Sequence, residues 1–138
     1  MVAAIQFTHV VITKAKTIMV VDDEPDLLRI TTKMLENDGY DVHAFRNPEK
    51  ALDHVEVENC NECAIIVSDI RMPVINGIEL AKRIKKLRPE IKVILMSAFE
   101  IHKEEWHKVL PSSDIDEFVQ KPVKMSDLVD TIKKYARA

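Results

Sequence analysis

From residue 17 onward the apolar positions keep changing period, from short continuous runs to longer stretches with one apolar residue every three or four. The first pattern marks strands and the second amphipathic helices. Strands are predicted at residues 17–21, 40–44, 64–68, 92–96 and 117–120. Between them, Leu27, Leu28, Thr31, Met34 and Leu35 fall on one helical face, which ends near Gly39, a residue suited to a left-handed cap. Asn47 before Pro48 reads as an N-cap with proline at the first helical position, followed by Ala51, Leu52 and Val55. Leu80, Ala81, Ile84 and Leu87 make a third helix that stops before Pro89, and Leu128, Val129, Ile132 and Tyr135 make the last. The fourth segment, 101–110, is the least regular.

Five strands alternating with five helices predict a doubly wound α/β fold, with a parallel sheet covered on both faces. Strands one and three are continuously apolar and belong at its centre. In such sheets ligands sit beyond the carboxyl ends of the strands, where the strand order reverses. The repeat fills residues 17–138, one domain's worth of chain, and leaves 1–16 as an N-terminal extension of undecided role.

That location selects a set of polar residues. Strand one ends in Asp22-Asp23, strand three in Asp69 and strand four in Ser97, and Lys121 follows strand five. Three carboxylates in one crevice repel one another by about 4 kcal/mol per pair at 4 Å and an effective dielectric near 20. A divalent cation removes that cost, and an oxygen-only set with room for water and phosphate suits Mg2+. With Mg2+ and Lys121 masking the charge, the Asp69 carboxylate could attack phosphorus to give an aspartyl phosphate.

At these residues the chain resembles the response-regulator receiver family of two-component signalling, over residues 17–137. The motifs are VVDDEPD at 20–26, SDIRMPVINGIEL at 68–80, LMSA at 95–98 and FVQKP at 118–122. The resemblance implies strand order 2-1-3-4-5, Asp69 as phosphoacceptor, and Mg2+ held by Asp23, Asp69 and the Arg71 backbone carbonyl, with Asp22 acting mainly through water. It also implies that Ser97 donates its hydroxyl to the phosphoryl group, that Lys121 pairs with an acceptor or phosphoryl oxygen, that the peptide before Pro122 is cis, and that Phe118 swings inward as Ser97 moves. Residues 111–117, PSSDIDE, lack the small residues many relatives carry before the switch aromatic. Phe118 also has no hydroxyl, so its inward state would rest on packing alone.

The expected partners are a histidine kinase or histidine phosphotransfer protein and an unknown downstream target. The donor would dock on the first helix at Asp26, Arg29, Lys33 and an apolar anchor, Ile30. The signal would leave through the fourth and fifth helices and the fifth strand, a surface relatives also use to dimerise. Trp106 either packs in the core or lies on that surface. Such a chain is a phosphoacceptor that assists its own phosphorylation and dephosphorylation, not an enzyme acting on a separate substrate. Arg71 and Phe99, two residues after Asp69 and Ser97, cannot orient an attacking water, and a bulky Phe99 would shield the phosphoryl group, which implies a comparatively long-lived phosphorylated state. The alternative is Phe99 turned outward and Arg71 extended into solvent, which would leave the site open.

A net charge of −3 without a Lys/Arg block argues against nucleic acid as main partner. No apolar run approaches the roughly 20 residues a membrane span needs, and a cytoplasmic protein is expected. Other readings fit less well. A dehalogenase-type phosphotransferase would want a carboxylate at 71, which is arginine, and a flavodoxin-type phosphate loop would be repelled by Asp22, Asp23 and Glu24. A pseudo-receiver working only as a docking module remains the alternative. In NCNEC at 59–63, Cys60 and Cys63 lack a second pair for zinc, with His54 the only nearby addition. They read as a loop thiol and a small apolar residue entering strand three.

Overall fold

The computed structural model describes residues 17–58, 60–98 and 114–136. Five strands form one parallel sheet: β1 (Thr17–Val21), β2 (Asp41–Phe45), β3 (Cys63–Asp69), β4 (Lys92–Ser97) and β5 (Glu117–Gln120), in the order β2-β1-β3-β4-β5. Four helices lie among the described residues: α1 (Pro25–Asn37), α2 (Pro48–Glu56), α3 (Gly77–Leu87) and α4 (Met125–Ala136). The helix expected at 101–110, with Trp106 and Phe99, and the extension 1–16 fall outside them.

The apolar strands are buried on both sides because successive side chains point to opposite faces. On one face Met19, Val21, Ile66 and Leu95 pack with Leu52 and Val55 of α2 and Leu80 and Ile84 of α3. On the other, Ile18, Val20, Ile65, Val67 and Ile94 pack with Leu28 and Leu35 of α1 and Leu128 and Ile132 of α4. The buried stripe of α1 is narrower than its apolar pattern: Leu28, Thr31 and Leu35 are inside, while Leu27 and Met34 at its margins are 37% and 39% exposed.

Element ends follow local chemistry. Asn47 accepts a hydrogen bond from the Glu49 N–H and Pro48 opens α2. Gly39 takes φ 97° just beyond α1 and donates to the Glu36 carbonyl. β2 begins one residue later than predicted, and β3 gains a residue at each end, through Cys63 and Asp69.

The cysteines need a correction. Cys60 and Cys63 are joined in a disulfide and are not free thiols. A turn at residues 61 and 62 brings their Cα atoms to 5.6 Å, within the reach of an S–S bond. Cys63 is nonetheless buried at the start of β3, as a small apolar residue would be.

Candidate functional site at the carboxyl edge of the sheet

Hydrogen bonds that continue the sheet past its strands set the site. The Asp22 N–H donates to the Phe45 carbonyl, the Ile70 N–H to Met96 and the Lys121 N–H to Ser97, at 3.1, 3.1 and 2.7 Å. Asp22, Asp69, Ser97 and Lys121 therefore share one edge. A pocket of about 380 Å³ opens there, lined by Asp23, Asp69, Arg71, Ser97 and Lys121, with Glu24, Ile70, Ile78 and Ala98 completing the wall.

One carboxylate oxygen from each of Asp22, Asp23 and Asp69 lies within 4.8 Å of the others. Asp22 is 1% exposed and Asp69 7%, while Asp23 is half-buried. Lys121 Nζ donates to Asp69 Oδ2 at 2.9 Å and stands 4.0 Å from Asp22 Oδ2. Burial raises the Asp22 carboxyl above the ordinary carboxylate range, against the opposing pull of the Glu24 N–H at 3.0 Å and of Lys121. The cluster thus carries more negative charge than its lysine offsets.

The loop after β3 holds Asp69 from behind. Ser68 donates its hydroxyl to the Asp69 carbonyl at 2.9 Å, and Gly77 at the start of α3 donates to Ile70 at 2.8 Å. Between them Val74, 86% exposed, takes φ 73°, a left-handed conformation unusual for a β-branched residue. Asn76 caps α3 by accepting from the Glu79 N–H at 2.9 Å. Neither Asn76 nor Gly77 was singled out as a site residue by sequence reasoning. The Asn-Gly pair directly before the periodic stretch of α3 was the available signal.

The Lys121–Pro122 peptide is cis, as the resemblance implied. Phe118 is half-buried against the core on the α2 and α3 face, in register with Leu95, two residues before Ser97. Ile30 is 50% exposed and, with Leu27, Met96, Pro122, Val123 and Met125, lines an apolar groove of about 480 Å³ that borders Asp22 and Lys121. Asp26 and Arg29 form an exposed ion pair at 3.2 Å on the same helix.

The family model of the response regulator receiver domain matches residues 18–133. The response regulator receiver protein CpdR of Brucella abortus is 31% identical over 86% of this chain and 95% of that protein. The sensor kinase CckA of the same organism is 30% identical over 86% of this chain, which spans only 12% of that longer protein. The solved structure of the response regulator protein TrrA from Thermotoga maritima, in complex with Mg(2+)-BeF, superposes with a TM-score of 0.73 at 32% identity, covering 87% of this chain and 98% of that one. With its 2-1-3-4-5 parallel sheet, the chain belongs to the response regulator receiver domain family of two-component signalling.

Proposed function

We propose that residues 17–138 act as a phosphorylatable receiver in which Asp69 takes a phosphoryl group from a histidine kinase or phosphotransfer protein in a Mg2+-dependent reaction. The observation that carries this reading is the approach of Lys121 Nζ to Asp69 Oδ2 beside the three clustered carboxylates. The donor set fits Mg2+: it is all oxygen, crowded and under-neutralised, with room in the pocket for water and phosphate. Asp23, Asp69 and the Arg71 carbonyl would hold the ion, and Asp22 would reach it through water. Bound there, the cation offsets the charge of the carboxylates and of the phosphoryl oxygens.

Lys121 occupies Oδ2 of Asp69, which leaves Oδ1 as the nucleophile. As the Oδ1–P bond forms, the P–N bond to the donor histidine breaks and the imidazole leaves. Ser97 then donates its hydroxyl to a phosphoryl oxygen, and Phe118 moves inward behind it. The signal leaves through β5, α4 and the segment before them toward a target protein or a second copy of the chain. The Mg(2+)-BeF complex of TrrA supports the metal and the phosphoryl site. The match to a sensor kinase supports a histidine-kinase partner, and half-exposed Ile30 beside the apolar groove supports docking on Asp26, Arg29, Ile30 and Lys33 of α1. No helix among the described residues is long and apolar enough to cross a membrane, in keeping with a cytoplasmic site of action.

The test is labelling of the full chain by acetyl phosphate or a purified kinase with Mg2+. Base-labile, acid-stable label is expected, and Asp69→Asn should abolish it while keeping the native circular dichroism. Undiminished labelling of that variant would remove Asp69 from the role. Beryllofluoride binding that needs Mg2+ separates a working receiver from a fixed docking module.

A further inference from the structure

We propose that the reduced chain carries a second metal site, for Zn2+ or a similar soft divalent ion, built from Cys60, Cys63 and His54. A ring nitrogen of His54 and the two sulfurs lie within 4.8 Å of one another. The site is at the amino end of β3, about 20 Å along the strand from Asp69 at roughly 3.3 Å per residue. It shares no residue with the acceptor pocket.

Two further observations point to a ligand. His54 Nδ1 is hydrogen-bonded to Glu58 Oε2 at 2.7 Å, while Nε2 is buried and has no hydrogen-bond partner among the described residues. A carboxylate on one ring nitrogen fixes the tautomer and leaves the other to ligate, as in carboxylate–histidine–zinc arrangements. His54 is itself 9% exposed and packed at a tilt against His43 and Phe45 at ring separations of 4.6 and 5.4 Å, so the ring is set in place. The loop is held too: Cys60 N–H donates to the His54 carbonyl at 3.3 Å, and Arg88 Nη1 donates to the Cys60 carbonyl at 2.9 Å.

The chemistry selects the ion. Two thiolates and a neutral imidazole balance the charge of Zn2+, and sulfur ligands disfavour the Mg2+ expected at the other site. Zn–S bonds of about 2.3 Å in a tetrahedron put the sulfurs roughly 3.8 Å apart, so the two sulfurs, bonded to each other in the disulfide, separate on reduction to take the ion while the imidazole closes in, with the fourth position left to water. Oxidation and metal binding exclude each other. Opening the disulfide takes two electrons, from a thiol or phosphine reductant, and two protons, from the thiols in the first case and from water in the second. Metal binding then releases both thiol protons.

The test uses the full chain, reduced without oxygen by a water-soluble phosphine, which becomes its oxide with oxygen taken from water. Co2+ serves as the spectroscopic probe. The reduced chain should bind one Co2+ with a sulfur-to-cobalt charge-transfer band that Zn2+ displaces, and the oxidised chain should show none. Cys60→Ser should lose the band's intensity, and Glu58→Gln should keep it with affinity lowered about 10-fold, the lower end expected for an orienting partner. His54→Ala should weaken binding further. Absence of the band in the reduced chain overturns the proposal. So does unchanged affinity in His54→Ala, which would mean two thiolates acting alone. If His54→Ala does not fold, Glu58→Gln reads the same imidazole through its anchor, and an unchanged affinity there overturns the proposal equally.

Discussion

Gly77→Ala is the sharpest probe of how the fold holds Asp69. A Cβ at position 77 would lie 2.4 Å from the Asp69 carbonyl oxygen, 2.9 Å from Ile70 Cα and 3.1 Å from the Asp69 carbonyl carbon. All three are backbone atoms, so no rotamer change relieves the contact. Either the first turn of α3 lifts away or the Asp69 peptide shifts. Overpacking of this kind costs about 1–3 kcal/mol, partly offset by up to about 1 kcal/mol from the better helix propensity of alanine. A net loss of about 1–2 kcal/mol follows. With a urea m-value near 2 kcal/mol/M, the midpoint should fall by about 0.5–1 M.

Gly39→Ala is the control. Its Cβ would meet nothing within 4 Å among the described residues, but φ is 97°, so it too should destabilise, by about 1 kcal/mol, through backbone strain alone. Urea unfolding followed by circular dichroism, run beside the rate of labelling with acetyl phosphate, separates the two. Both variants should lose stability, and only Gly77→Ala should also label slowly, because only there does the relief move the acceptor. A Gly77→Ala protein with the wild-type midpoint and labelling rate would refute the claim that this close approach positions Asp69.

Lys121→Ala leaves the buried Asp69 without its partner and should cost the metal-free protein about 2 kcal/mol, less than a fully buried pair would because Lys121 is 19% exposed. Mg2+ affinity by titration should stay equal or rise, since a competing cation has gone, while the beryllofluoride-induced change in structure weakens. Tyr135 donates to the Asp116 carbonyl and Glu117 Oε1, both at 2.9 Å, and Tyr135→Phe should cost about 1–2 kcal/mol at neutral pH. Burial, then the bond to Glu117, holds the tyrosine hydroxyl far above its ordinary value, so its stabilisation is complete below about pH 10 and is lost as pH climbs from there toward the raised value. Urea midpoints of the two proteins should therefore converge above about pH 10, and a constant gap would contradict the assignment.

The sheet was legible in the sequence because strands buried on both faces write themselves as continuous apolar runs, as in 18–21 and 64–67. The site was legible because a parallel sheet gathers strand ends, so Asp22, Asp69, Ser97 and Lys121 could be placed together without coordinates. What escaped notice depends on loop paths. The role of Gly77 is a distance to the backbone of Asp69, eight positions earlier, which no periodicity encodes. The disulfide depends on a turn at 61 and 62 that composition does not specify. The setting of His54 depends on Glu58 four residues later and on His43 of β2, so its pairing with the cysteines was named from sequence and set aside there.

The proposed switch must act through whichever strand is able to move. β3 is buried along nearly its whole length between β1 and β4, so the acceptor strand is fixed. Among the described residues β5 has one neighbour in the sheet, is half-buried and ends in an exposed residue. Its start is pinned: Asp116 Oδ2 accepts from Lys85 Nζ and from the Val93 N–H, each at 2.8 Å, and Tyr135 holds the Asp116 carbonyl. Its far end is tied to the site by the Lys121 N–H to Ser97 carbonyl bond. If Ser97 moves toward a phosphoryl group as proposed, it would draw on the far end of β5 while the Asp116 end stays put. Phe118 lies between those two ends of β5, where the proposed switch would have it turn a small shift at Ser97 into a change of surface.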